Sequence, residues 1–181
     1  MAYETKFISP YSFITLLVPI FALVIVLTLR NLVWLNYIHV LTGGTWTGVD
    51  LFMGLVMSRV LRSLDPKSRA EIIKRLVPMM LFFMPSLAAV ATTAGFFLAS
   101  WLGIFSFKNI LILLSGVIVL ILIIQGFGVI VPNEVRIVLE LRKEEPDLNK
   151  VVKLGMRNIY VSGSQVVFQI VIIFIMANLV L

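Results

Sequence analysis

His39 is the only histidine in the chain, and Asp50 follows eleven residues later in the same apolar stretch. Ionisable side chains at membrane depth are costly, and they mark places where a protein interior compensates them. At about 100° per residue, steps of 4, 7, 11, 14 and 18 return close to one direction on a helix. His39, Gly43, Trp46, Asp50, Met53 and Met57 therefore share one face. An imidazole nitrogen there can ligate haem iron or another metal, carry a proton, or donate to a carbonyl of a neighbouring helix. A buried carboxyl can accept a structural hydrogen bond from Gln125 or a threonine, or take up a proton on demand in a transport or redox-coupled site. Gly43 leaves a gap for a flat ligand or another backbone. Trp46 offers either a wall for a porphyrin or quinone or ordinary interhelical packing. A lone histidine falls short of a closed zinc site, which takes about four donors.

The elements that carry this face follow from composition. The chain has 181 residues, 60% hydrophobic and 13% charged, with a mean hydropathy of +1.07. Soluble domains run at about 45–50% apolar and about 25% charged. The expected fold is an all-α polytopic transmembrane bundle in the cell membrane, a single membrane domain over residues 1–181. The absence of cysteine rules out disulfides, thiolate metal sites, cysteine-ligated iron–sulfur clusters and covalent c-type haem attachment. The net charge of +6 reads as topology and contact with the anionic lipid bilayer, not as nucleic-acid binding.

Five segments reach the roughly 20 apolar residues that a span requires: 12–29, 33–60, 76–102, 109–131 and 160–181. Each must be a helix, because a lone span satisfies its backbone internally. Pro19, Pro78 and Pro85 are expected at kinks or first turns. The first segment lacks a small-x-small cleavage site before Arg30 and is read as retained. Thirteen of the fifteen lysines and arginines fall in the N-terminal arm (Lys6) and in the loops after spans two and four. Only Arg30 and Lys108 lie in the other two loops. The positive-inside bias then predicts the N-terminus in and the C-terminus out. Residues 132–158 read as a charged cytoplasmic helical hairpin extending spans four and five, either solvated or a docking surface. Asp147 is its expected N-cap, and Ser68 or Asp65 would cap the third helix.

A rise of 1.5 Å per residue sets relative depth and puts His39 about 9 Å and Asp50 about 25 Å below the outer surface. Gln125 and Gln165 fall near the level of Asp50 and would complete a polar core or proton relay. Met176 falls near His39, and a His/Met pair would hold a haem iron and raise its potential. Thr92 and Thr93 lie between His39 and the midplane. Gly44 and Gly48 point to the opposite face as a small-xxx-small pair, whose ordinary role is close helix packing. Trp34 and Trp101 sit where aromatic belt residues do.

The run His39-Val40-Leu41-Thr42-Gly43-Gly44-Thr45-Trp46-Thr47-Gly48 is followed by a basic loop (Arg59, Arg62, Pro66, Arg69, Arg75) and by Thr93-Ala94-Gly95. This pattern resembles a broad group of small membrane proteins that includes copper-resistance D-type proteins and HemJ-type protoporphyrinogen oxidases. The likeness covers residues 33 to 100, just over a third of the chain. In that group the corresponding histidine serves haem b or a metal. The resemblance implies the same role for His39 and a wall role for Gly43 and Trp46; Thr93 in the next span joins them as a candidate cofactor contact, and Met176, from its depth, as a candidate second ligand. The segment from Leu76 to Leu102 lacks the lysine of HemJ-like members, and the chain lacks the extra histidines or methionine cluster of copper-resistance proteins. The HemJ reaction is therefore not carried over. The first expectation is a haem b-binding or redox-associated membrane subunit with His39 as axial ligand, and a symmetric homo-oligomer would supply a second His39. The alternatives are a small proton-coupled transporter using Asp50 and His39, and a non-catalytic accessory subunit of a larger membrane complex. No serine–histidine–acid set, phosphate-binding glycine loop or pair of carboxylates at one level is visible.

Overall fold

Apolar runs too long to be broken by loops must pair their backbone groups along the chain itself, and helices do so. The computed structural model describes residues 10–179, and Lys6 and the last two residues of the fifth segment lie outside them. Five helices, each long and apolar enough to cross a membrane, make up the fold: α1 (Pro10–Leu29), α2 (Leu32–Ser63), α3 (Pro66–Trp101), α4 (Ile110–Leu141) and α5 (Leu148–Leu179).

The joints are built by short polar side chains that satisfy the first free N–H groups of each helix. Arg30 turns the chain with φ of 48°, and Asn31 Oδ1 accepts from the Trp34 N–H to start α2. Asp65 Oδ1 accepts from the Lys67 and Ser68 N–H groups at the start of α3. The Ser68 hydroxyl and N–H, with the Lys67 N–H, hold the Asp65 carboxyl below its ordinary range. Of the two caps expected there, Asp65 serves and Ser68 is its donor. Asn109 caps α4, and Asp147 accepts from the Lys150 N–H to cap α5, as its sequence position predicts. At the other end of α2, the Arg69 guanidinium donates to the carbonyls of Leu61, Arg62 and Leu64. The turn between α4 and α5 closes on Glu140, which accepts from Lys143 Nζ and, at 2.6 Å, from Lys150 Nζ.

Helix α3 is the centre of the packing. It touches α2 most, through Leu32–Leu51, then α1 and α5, and meets α4 mainly through the last part of that helix, Val131–Leu141. The earlier part of α4 leans on α5 instead. Toward the Arg30 end, Leu23 and Val26 of α1, Leu35 and Ile38 of α2, and Val90, Ala94 and Leu98 of α3 form one core. A second core near the basic loops joins Leu61, Ile73, Ile137 and Val151 from four helices. A small third cluster sets Ile118 and Leu122 against Ile175, with Trp46 at its edge. Most of the large apolar side chains elsewhere are exposed, as on a surface made for lipid.

Two helices widen locally into π turns, Phe52–Met57 in α2 and Gly126–Ile130 in α4. Pro132 accounts for part of the second, since it has no N–H for the carbonyl four residues back. Pro19, Pro78 and Pro85 all lie inside helices, not at first turns. The first π turn lies where α2 crosses α5: a Cβ at Gly54 would fall 2.5 Å from the Gly163 Cα. This is the closest glycine crossing between the helices. Gly44 and Gly48, expected to serve that purpose, are exposed and have nothing within 4 Å of where a Cβ would sit. The rotation of α2 turns their face out of the bundle.

Candidate functional site

Asp50 is fully buried, and its carboxyl is held from α5: Gln169 Nε2 donates to Oδ2 at 2.8 Å. Trp46 and Ser162 flank the same carboxyl. Asp50 Oδ1 and Gln169 Oε1 have no hydrogen-bond partner among the described residues. The expected partner, Gln125, does not reach Asp50. Its Nε2 donates to Ser164 Oγ at 3.3 Å, and Gln165 Nε2 donates to the Leu122 carbonyl at 3.2 Å. Gln169 lies one turn beyond Gln165 on the same helix, so the level expected on α5 for Asp50 is off by about one turn.

Where α3 and α4 diverge, a cleft of about 210 Å³ opens beside Asp50. Its walls are mostly apolar: Met80, Met84, Pro85 and Ala88 from α3, and Leu122, Ile123, Phe127 and Ile130 from α4. Its polar atoms come from Asp50 and Trp46 on α2, Thr92 and Thr93 on α3, Glu134 on α4, and Asn158, Ser162 and Gln165 on α5. The polar groups of α2, α4 and α5 are on the inner wall, where Asp50, Glu134, Asn158 and Gln165 are buried. Ala89, Ile123 and Phe127 line the cleft and are exposed, so they form its mouth. They lie in the middle of helices, so the mouth is lateral and not at the ends of the bundle. Both π turns border the cleft, through Met53 on one side and Gly126 on the other. Such widened turns occur often at functional sites.

Glu134, Asn158 and Gln169 do not stand out in the sequence. Glu134 looks like part of a solvated hairpin because Asn133 and Arg136 surround it. The signal that points inward is periodicity: Ile123, Phe127, Ile130 and Glu134 recur at steps of three and four along one helix face. Asn133 and Asn158 bond to each other at 2.9 Å, and Asn158 Nδ2 also donates to the Ile130 carbonyl at 3.0 Å.

His39 is not in the cleft. Its Nδ1–H donates to the Ala91 carbonyl of α3 at 2.9 Å, and its ring covers Gly95. A Cβ at Gly95 would lie 2.8 Å from the imidazole Cε1. Gly95→Ala is therefore expected to displace the ring and break the bond to Ala91; imidazole ¹⁵N shifts of the single histidine would report the change of tautomer. Gly43 faces Ala91, whose Cβ lies 3.9 Å from where a Cβ at Gly43 would sit, so its gap is filled by α3. Met176 is half-buried on α5. The core at the level of His39 is made by α1, α2 and α3, without α5. Among the described residues, no three His, Asp or Glu side chains gather to hold a metal. The structure thus brings together Trp46, Asp50, Thr93 and Gln165 from the expected set, leaves Gln125 beside them on Ser164, and leaves His39, Gly43 and Met176 outside the cleft.

These features define a five-helix protein whose apolar helices suit a multi-pass membrane protein, with a lateral cleft ending on a buried carboxyl. No protein-family model matches the chain, and no curated protein or solved structure matches it either.

Proposed function

We propose that this is a small carrier of the cell membrane, with its N-terminus inside and its C-terminus outside. It admits a largely apolar molecule from the bilayer through the mouth at Ala89, Ile123 and Phe127, and brings the polar end of that molecule to Asp50. The observation that carries the reading is the junction of an apolar lateral mouth with a carboxyl that has one unpartnered oxygen. Buried charges are compensated by a proton or a counter-ion. Asp50 is therefore where a cargo charge, or a proton moving with the cargo, would be balanced. The basic loops after α2 and α4 support the orientation.

The test is saturable uptake of a small apolar probe, neopentylbenzene, by the protein in lipid nanodiscs, with empty discs subtracted. About one probe per chain is expected, and Ala89→Trp, which plugs the mouth, should abolish the binding. Uptake no greater than that of empty discs would remove the reading.

A second reading keeps His39 as an axial ligand of haem b, as the resemblance to the copper-resistance D-like and HemJ-like group implies. One observation favours it: the bond from Nδ1–H to a backbone carbonyl is the arrangement that orients a ligating histidine. The described residues fit one axial ligand but supply neither an opposite ligand nor a porphyrin slot at that level, so a symmetric dimer would be needed. A Soret band that vanishes in His39→Ala would support this reading, and colourless protein from haem-replete cells would end it.

A further inference from the structure

Glu134 is 5% exposed, lines the cleft, and has no hydrogen-bond or ion-pair partner among the described residues. The ion pairs among those residues engage only Glu71 and Glu140. Among the described residues, no lysine or arginine lines the cleft. The cavity therefore holds two carboxyls, Glu134 without a partner and Asp50 with one oxygen outside hydrogen-bond reach of its neighbours Trp46 and Ser162, and no fixed positive charge among the described residues. An anion would add like charge to both. An uncharged molecule would leave each carboxyl to be compensated by a proton alone. A cation would supply the missing partner to each. Trp46 and Phe127 add aromatic surface in the same cleft, and aromatic rings attract organic cations.

We infer that the molecule taken up by this cleft is an organic cation with an apolar body, its positive head held by Glu134 and Asp50. The inference rests on the proposed carrier role of the cleft and names its substrate class. The apolar body accounts for the walls of α3 and α4, and the head for the acidic inner wall. A cavity of about 210 Å³ suits a ligand of one aromatic ring and a compact quaternary ammonium group.

The test uses two probes that differ only in charge: benzyltrimethylammonium and its carbon isostere, neopentylbenzene. Both are measured by equilibrium dialysis against the full chain in nanodiscs, for the wild type, Glu134→Gln and Asp50→Asn. The wild type is expected to hold the cation at least tenfold more tightly than either variant does. The isostere is expected to bind all three alike, which checks that the cleft is still formed. Equal affinity for the cation in wild type and Glu134→Gln, with the isostere still bound, would overturn the inference and leave the cleft reading intact. Loss of both probes in Glu134→Gln would make Glu134 a structural residue and also overturn it. Failure of the wild type to bind either probe would remove both readings together.

Discussion

Gly54→Leu is expected to yield no folded protein, and Gly54→Ala to lower stability by about 3 kcal/mol, the upper end of the usual cost of overpacking. The atom in the way is not the tip of a flexible side chain but the Gly163 Cα, 2.5 Å from where the new Cβ would sit. The two helices must part, and Asp50 on α2 would then draw away from Gln169 on α5. Gly163→Ala meets the Gly54 Cα at 3.1 Å and should cost less. Gly44→Ala is the control: it has open space and is expected to gain up to about 1 kcal/mol from helix propensity. Thermal unfolding followed by far-ultraviolet circular dichroism would check the series. A Gly54→Ala protein as stable as the Gly44→Ala protein would contradict the close crossing of α2 and α5.

The second large effect is expected at the pair that joins these helices. Gln169→Leu removes the donor that the Asp50 carboxyl holds at 2.8 Å and leaves a fully buried acid without it. Removing one partner of a buried charged group costs about 3 kcal/mol or more. The Gln169 Oε1 atom has no partner to lose, so the penalty lies on the side of Asp50. Replacing both residues by leucine removes the orphaned acid with its donor. The double variant is therefore expected to recover most of the lost stability, and the two single effects to be strongly non-additive. It is also expected to bind no cationic probe, because the carboxyl facing the cleft is gone. Simple addition of the two single losses would show that the bond between Asp50 and Gln169 does not join α2 to α5.

Much of the architecture was legible along the chain. Five apolar runs set five helices, and Asp65 and Asp147 marked two of the starts. The hairpin turn came where Glu145, Pro146 and Asp147 stand, between the end of α4 and the start of α5. The part of the stripe formed by Trp46, Asp50 and Met53 lies along the wall of the cleft. The same stripe also contained His39, which packs against Ala91 and Gly95 outside that wall.

Helix length, polarity and capping depend on a few neighbouring residues, and the sequence by itself determined them here. Which side chains meet depends on how far each helix is rotated and slid against the next, and local periodicity leaves both free. Only the tertiary structure could choose Gln169 over Gln125 for Asp50 and carry Glu134 from an apparent solvated hairpin into the cleft. It alone could move the glycine crossing from Gly44 and Gly48 to Gly54 and Gly163.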